Sequence, residues 1–283
     1  MNAVEAAVRV AERFGLSVED PVLLRSTNNV VAWLSPLMVV AKIGVGPKLG
    51  FHTEVAVASE LEALGGPIVP PAPEFPAIVH SQDGFHVTFW RYYPQPPDVD
   101  IPCDQLTTAL RGLHAACAQL SAELRVGLPS YLEELQSVSE LLRDATRLSA
   151  LPERDRRLLI RVFDQLWQQV QASSPSSTHA VIHGSPHPYN VLLVDGMPRF
   201  IDFETTCIGP IEWDLAHMSP DTARNVAGEI DAHLLQICRD LVRVKTAAWC
   251  WADVHRGDLR YHAEVHLAHL KKTFAGAGSG GSE

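Results

Sequence analysis

Apolar and polar positions change their spacing about a third of the way along the chain, and the change separates a strand-rich part from a helical part. Ala3 to Phe14 repeats apolar residues at helical steps. Val22-Leu23-Leu24 and Val30 to Leu34 are short apolar runs flanking Ser26-Thr27-Asn28-Asn29, which predicts two strands joined by a polar turn. Val39 to Ile43 is a third strand, with Lys42 near its end. Phe51 to Leu64 returns to helical spacing and stops at Gly65-Gly66-Pro67. Val69 to Pro76 is too rich in proline for regular structure, and Val87 to Trp90 predicts one more strand, closed by Pro94 to Pro97.

Past about residue 104 the helical period takes over, in Leu106 to Leu124, Tyr131 to Leu148 and Pro152 to Ala172. A hairpin interrupts it: Val191 to Val194, the tight-turn pair Asp195-Gly196, then Arg199 to Asp202. Helices fill the rest from Asp214 to about Phe274, with Trp249 and Trp251 expected in the core. The expected class is α+β, a small antiparallel-sheet domain over residues 1–97 and a larger, mostly helical one over 98–274. An extended hinge falls at about 88–97, and residues 275–283 form a Gly/Ser-rich tail.

The net charge of -10 over 283 residues argues against nucleic acid or an anionic membrane as partner. The chain contains neither a long apolar stretch nor a charged-then-apolar leader, so the expected location is the cytoplasm. The five cysteines are scattered and never spaced as a metal or redox pair, which fits reduced, mostly buried thiols.

Chemistry concentrates in two places. On a helical wheel Glu54 aligns with Val57, Ala58 and Leu61, so it points along the buried stripe and needs a cationic partner. Lys42, at the end of the preceding strand, is the candidate. The second place is His183-Gly184-Ser185-Pro186-His187-Pro188-Tyr189-Asn190, the hairpin, and Ile201-Asp202-Phe203-Glu204. A hairpin brings Asn190 and Asp202 to neighbouring strand ends, and such sparse oxygen ligation suits magnesium completed by phosphates and water. His183 would brace the loop. His183, His187 and Asp202 also spell a metallohydrolase cluster, but four-residue histidine spacing aligns ligands only on a helix, and Pro186 and Pro188 argue against one. His262, His266 and His269 share a helix face with no carboxylate or cysteine pattern beside them and read as a solvated face.

The segments Val40-Ala41-Lys42, EVAVASELEAL, VTFWRYY, HGSPHPYN, IDFE and EWDLA, in this order, resemble the aminoglycoside phosphotransferase and choline kinase-like superfamily over about residues 20 to 270. The resemblance implies a two-lobed, protein kinase-like fold that binds ATP (or GTP) and Mg2+ and phosphorylates a hydroxyl of a small molecule. Lys42 would contact phosphates and Glu54 would hold it; Ser26 and Asn28 would cover the nucleotide; the backbone from Trp90 to Tyr92 would receive the base. Asn190 and Asp202, with Glu204, would hold the metal, and Asp214 would support the catalytic loop. The catalytic positions are His183, Ser185 and His187. Ser185 departs from the family, whose aspartate there takes the acceptor proton; a serine hydroxyl has no such basicity near neutral pH. An active variant using another base such as His187, a nucleotide-binding pseudokinase with a regulatory or scaffolding role, and an engineered inactivation all fit this departure. A hydroxyl-bearing aminoglycoside-like antibiotic or polar metabolite is the implied acceptor, and the acidic Asp221, Glu229, Asp231 and Asp258 would suit a cationic one.

Overall fold

A computed structural model describes residues 2–26, 28–45, 49–96, 100–173, 179–226, 230–257 and 259–274. Thr27 of the polar turn, Pro97, Glu229, Asp258 and the tail 275–283 lie outside the described residues. The chain divides into two compact units, Met1–Leu128 with Ala180–Ile208 and Pro220–Ala227, and Pro129–His179 with Gly209–Ser219 and Gly228–Glu283.

The first unit holds a five-stranded antiparallel sheet of β1 (Val22–Ser26), β2 (Val30–Trp33), β3 (Val39–Val45), β4 (His80–Gln82) and β5 (Phe85–Arg91), in the order β1-β2-β3-β5-β4. Helix α1 (Ala3–Arg13) starts at a capping box, in which the Asn2 side chain accepts from the Glu5 amide and Glu5 accepts from that of Asn2. Its apolar stripe, Ala7, Val10 and Ala11, packs in one cluster with Ala32, Val39, Ala41, Ile43, Val87 and Phe89. Successive strand residues point to opposite faces, so Val31, Val40, Lys42, Thr88 and Trp90 fall on the other side. Helix α2 (Leu49–Ala63) stops where the sequence predicts, with Gly65 in the left-handed region and the Gly66 amide reaching back to the Leu61 carbonyl.

Two expectations about elements are corrected, and one strand is added. The single helix expected over 106–124 is two, α3 (Cys103–Cys117) and α4 (Ala122–Val126), because the Ser121 hydroxyl caps a new start by accepting from the Leu124 amide. Helix α5 (Tyr131–Arg143) ends short of Leu148, because the Asp144 carboxylate takes the amides of Thr146 and Arg147. β4 was hidden in a polar triplet, whereas the proline-rich stretch before it makes only isolated bridges, Pro71 with Trp90 and Ile68 with Phe200.

The second unit is helical: α5, α6 (Glu153–Ser173), α7 (Ile211–Ala216), α9 (Ala232–Ala252) and α10 (Leu259–Phe274), while α8 (Pro220–Asn225) belongs to the first. α9 is its axis, packing on the other four and burying Leu234, Ile237, Leu241, Val244, Ala248 and Trp251. Trp249, expected in the core, is 39% exposed. Two positions apart on a helix lie on nearly opposite sides, so Trp251 takes the core and Trp249 stacks under Arg147. Lys245, also buried, donates to Glu134 at 2.8 Å and lies over the Trp213 ring. On α10 the expected solvated histidine face is half-buried at His266, where burial and the Arg243 guanidinium push the imidazole down to about 4. All five cysteines are unbridged thiols, and four are buried. Among the described residues, no helix is long and apolar enough to cross a membrane.

Candidate active site

The site is built on the hairpin of β7 (Val191–Val194) and β8 (Met197–Phe200), in the first unit. Asp195 and Gly196 both take positive φ, 49° and 75°, the geometry a two-residue hairpin turn requires. At the open end the ladder runs on: the Ile201 amide donates to the Asn190 carbonyl at 3.0 Å. Asn190 and Asp202 therefore leave the base of one hairpin on adjoining strands. β8 is anchored in turn by Phe200, whose amide donates to Pro67 and whose carbonyl accepts from Val69.

β6 (His179–Ile182) delivers His183, which is fully buried between the two loops. Its Nδ1 accepts from the Ser185 amide at 3.3 Å, so Nε2 carries the proton and donates to the Ile201 carbonyl at 3.0 Å. The ring also lies against Phe203, centroids 4.7 Å apart. Gly184 (φ 86°) is irreplaceable here, because a Cβ would stand 2.1 Å from the Thr205 carbonyl oxygen. The Ser185 backbone is pinned at both ends, its carbonyl accepting from Asn190 Nδ2 at 3.0 Å. His187 meets Tyr189 edge-on.

Asp202 sits in the left-handed region (φ 68°, ψ 61°), which an aspartate tolerates better than most residues and which swings its carboxylate toward β3. Lys42 Nζ lies 2.7 Å from Asp202, 2.8 Å from Glu54 and 2.5 Å from Glu204. Burial opposes the charge on Lys42, but the carboxylates outweigh it and hold the ammonium well above the ordinary lysine range. For Glu54, burial pushes the carboxyl up to about 8, with Asp202 and Glu204 adding repulsion against the pull of Lys42. Burial would raise Asp202 too, yet Lys42 and, more weakly, Arg25 hold it below the usual carboxylate range. One ammonium meets three carboxyl groups, and while Glu54 keeps its proton the other two leave one negative charge uncompensated. The three carboxylates each present an oxygen within 4.8 Å of the others, a donor set suited to a hard divalent cation.

This cluster borders a cavity of about 410 Å³ whose remaining wall is largely apolar, with Val31, Val40, Val69, Trp90, Leu192 and Ile201. Lys42, Glu54, Trp90, Tyr92, Asn190 and Asp202 line it together. The amides of Arg91 and Tyr92 donate to the carbonyls of Pro70 and Met38. Tyr92 stacks on Trp33 at 4.6 Å, and the Gln95 carboxamide exchanges two hydrogen bonds with Leu193 of β7. Ser26 and Asn28 are exposed and do not line the cavity. Among the described residues of that turn, Asn29 reaches the cluster, its Nδ2 donating to Glu204 at 2.7 Å. Asp214 is fully buried in the second unit, in the first turn of α7. Asp221 pairs with Arg224, and Asp231 caps α9, so each of these two acidic residues already has a local role.

Sequence reasoning missed Asn29, Arg25, Gln95 and Gly50. Gly50 is legible only in three dimensions: a Cβ there would press on Glu204 at 3.2 Å. Asn28 and Asn29 are equivalent as letters, and the turn decides which one faces in.

Residues 38–245 match the family model described as the phosphotransferase enzyme family. No curated protein matches the sequence. Among solved structures, the GDP complex of aminoglycoside 2'-phosphotransferase-IIIa superposes with a TM-score of 0.70 at 15% identity, covering 96% of this chain and 99% of that one. Spectinomycin phosphotransferase APH(9)-Ia, with ADP and spectinomycin, gives 0.67 at 14% identity over 97% and 95%. Choline kinase LicA from Streptococcus pneumoniae gives 0.66 at 15% identity over 94% and 98%. At these identities the likeness establishes the kinase-like fold.

Proposed function

The chain belongs to the phosphotransferase enzyme family, and on that footing we propose that it transfers the terminal phosphoryl group of ATP or GTP, with Mg2+, to a hydroxyl of a small polar molecule. One observation carries the reading: an apolar slot ends in a cluster of three carboxylates around one lysine. A flat base fits the slot, and the excess negative charge calls for a divalent cation between it and the phosphates. Asp202 and Glu204 would hold the metal with Asn190, whose Nδ2 is spent on Ser185 and whose Oδ1 is left to ligate. When bound, the metal neutralises charge on the phosphates as the bond to the leaving group breaks. Lys42 orients the phosphate chain, Glu54 fixes Lys42, and His183 holds the loop that bears Ser185.

Phosphoryl transfer proceeds through a loose transition state in which positioning supplies most of the catalysis, so a serine in place of a base slows the reaction without abolishing it. The acceptor is an aminoglycoside-like antibiotic or a polar metabolite, the class of compound that the spectinomycin and kanamycin complexes of similar structures contain. Ser185 itself favours a second reading, a nucleotide-binding pseudokinase with a regulatory or scaffolding role.

Nucleotide consumption across an acceptor panel separates the two. The enzyme reading expects slow turnover, abolished by Asp202→Asn, and a gain of about 100-fold in Ser185→Asp, the range a general base contributes. Both pins on residue 185 are backbone bonds, so the loop accepts the exchange. Nucleotide binding without turnover in the wild type, with turnover only in Ser185→Asp, supports the pseudokinase. No thermal shift with ATP, GTP and magnesium would sink both.

A further inference from the structure

We infer that Arg25 is a phosphate-binding residue of the nucleotide site, carried into it by a bulge in β1. The inference deepens the nucleotide-dependent reading above and rests on it. β1 and β2 pair Leu23 with Ala32 but Arg25 with Val31, so β1 carries one extra residue, Leu24. Cross-strand partners share a face of the sheet. Ala32 belongs to the core under α1, whereas Val31 borders the cavity. An unbulged ladder would set Leu24 opposite Val31 and turn Arg25 to the other face. With the bulge, Leu24 and Arg25 border the cavity although they are consecutive. The ladder continues from Val31 to Lys42, so Arg25 stands two strands from Lys42, and their backbones are roughly 10 Å apart. Both cations face the same space.

The charges on the cavity wall give Arg25 its task. Its cations are Arg25, Lys42 and Arg91. Lys42 is outnumbered by its carboxylates, and Arg91 faces Glu62 at 3.6 Å. Arg25 makes no hydrogen bond or ion pair among the described residues, yet its field reaches Asp202. A polyphosphate entering beside Asp202 brings several negative charges that Lys42, already over-matched, leaves uncompensated. The guanidinium offers a planar fork of donors at the spacing of phosphate oxygens and keeps its charge at every working pH.

Calorimetric titration of the full chain with ATP and with adenosine, each in magnesium, tests this in the wild type, Arg25→Ala and Arg25→Lys. Arg25→Ala should weaken ATP binding about 10- to 100-fold, the range for hydrogen bonds to a charged group, and leave adenosine affinity unchanged. Arg25→Lys should recover part of the loss, because a point charge remains without the fork. The urea midpoint should not move, since the side chain is exposed. Unchanged ATP affinity in Arg25→Ala overturns the assignment while leaving the nucleotide reading intact. Equal losses for ATP and adenosine also overturn it, because they mark a residue that shapes the strand. A wild type that binds neither ligand, nor GTP and guanosine in their place, overturns the assignment and the reading together.

Discussion

The two faces of the five-stranded sheet share every backbone atom and differ in almost everything else. On one face Val39, Ala41, Ile43, Val87 and Phe89 lie under α1, none more than 5% exposed, joined at the β4 edge by His80, whose Nε2 donates to the Pro76 carbonyl. On the other, one residue along each strand, stand Val40, Lys42, Thr88 and Trp90. There the polar groups are bonded: Lys42 to three carboxylates, and the Trp90 indole N–H to Thr88 Oγ1 at 2.9 Å. The sealed face is specified mainly by volume, which many apolar residues supply. The cavity face is specified by partners, which few do.

Removing volume from the sealed face should have the larger effect on stability. Phe89→Ala strips a ring that stacks on Phe75 at 3.8 Å, and is expected to cost about 3–5 kcal/mol in urea unfolding. An unchanged midpoint would mean that this side of the sheet is not the core. A change on the cavity face that keeps shape and removes a partner should cost less: Thr88→Val leaves the buried Trp90 N–H without its acceptor, an expected loss of about 1–3 kcal/mol. If Thr88→Val equals or exceeds Phe89→Ala, the distinction between the faces fails.

The smallest effect lies away from both faces and serves as their control. The His266 imidazole titrates at about 4 in the folded chain, against 6.5 unfolded. The unfolded chain therefore takes up its proton first as pH falls, so the stability this group contributes is present above 6.5 and lost towards 4. His266→Gln should shrink the fall in melting temperature between about pH 7 and about pH 5, by the equivalent of roughly 1 kcal/mol after allowance for its partial exposure. Identical pH profiles in the two proteins would count against it.

The strands and most helices were readable because their apolar periods are long and their stops explicit, as at Gly65-Gly66-Pro67. The proximity of Lys42 and Glu54 was readable too, since a carboxylate on a buried stripe must find a cation. The break in α3 was not: Ser121 caps a helix only because its neighbours let it turn, which the period of its apolar residues does not encode. Arg25 drew no reading from the sequence, since a bulge leaves no mark in composition or alternation. In the polar turn the chain geometry chose Asn29 over Asn28, and no property of the letters could.

Gln95 gives the cavity a mechanical property of its own. Its carboxamide behaves as a stretch of backbone, donating to and accepting from Leu193 at once, and so stitches segment 92–96 to the strand that follows Asn190. A glutamate of equal length would supply acceptors only and meet the Leu193 carbonyl with like-signed charge. Whatever displaces that segment at the apolar extremity thus tugs on the strand next to the carboxylate extremity, with Gln95 putting the two in touch.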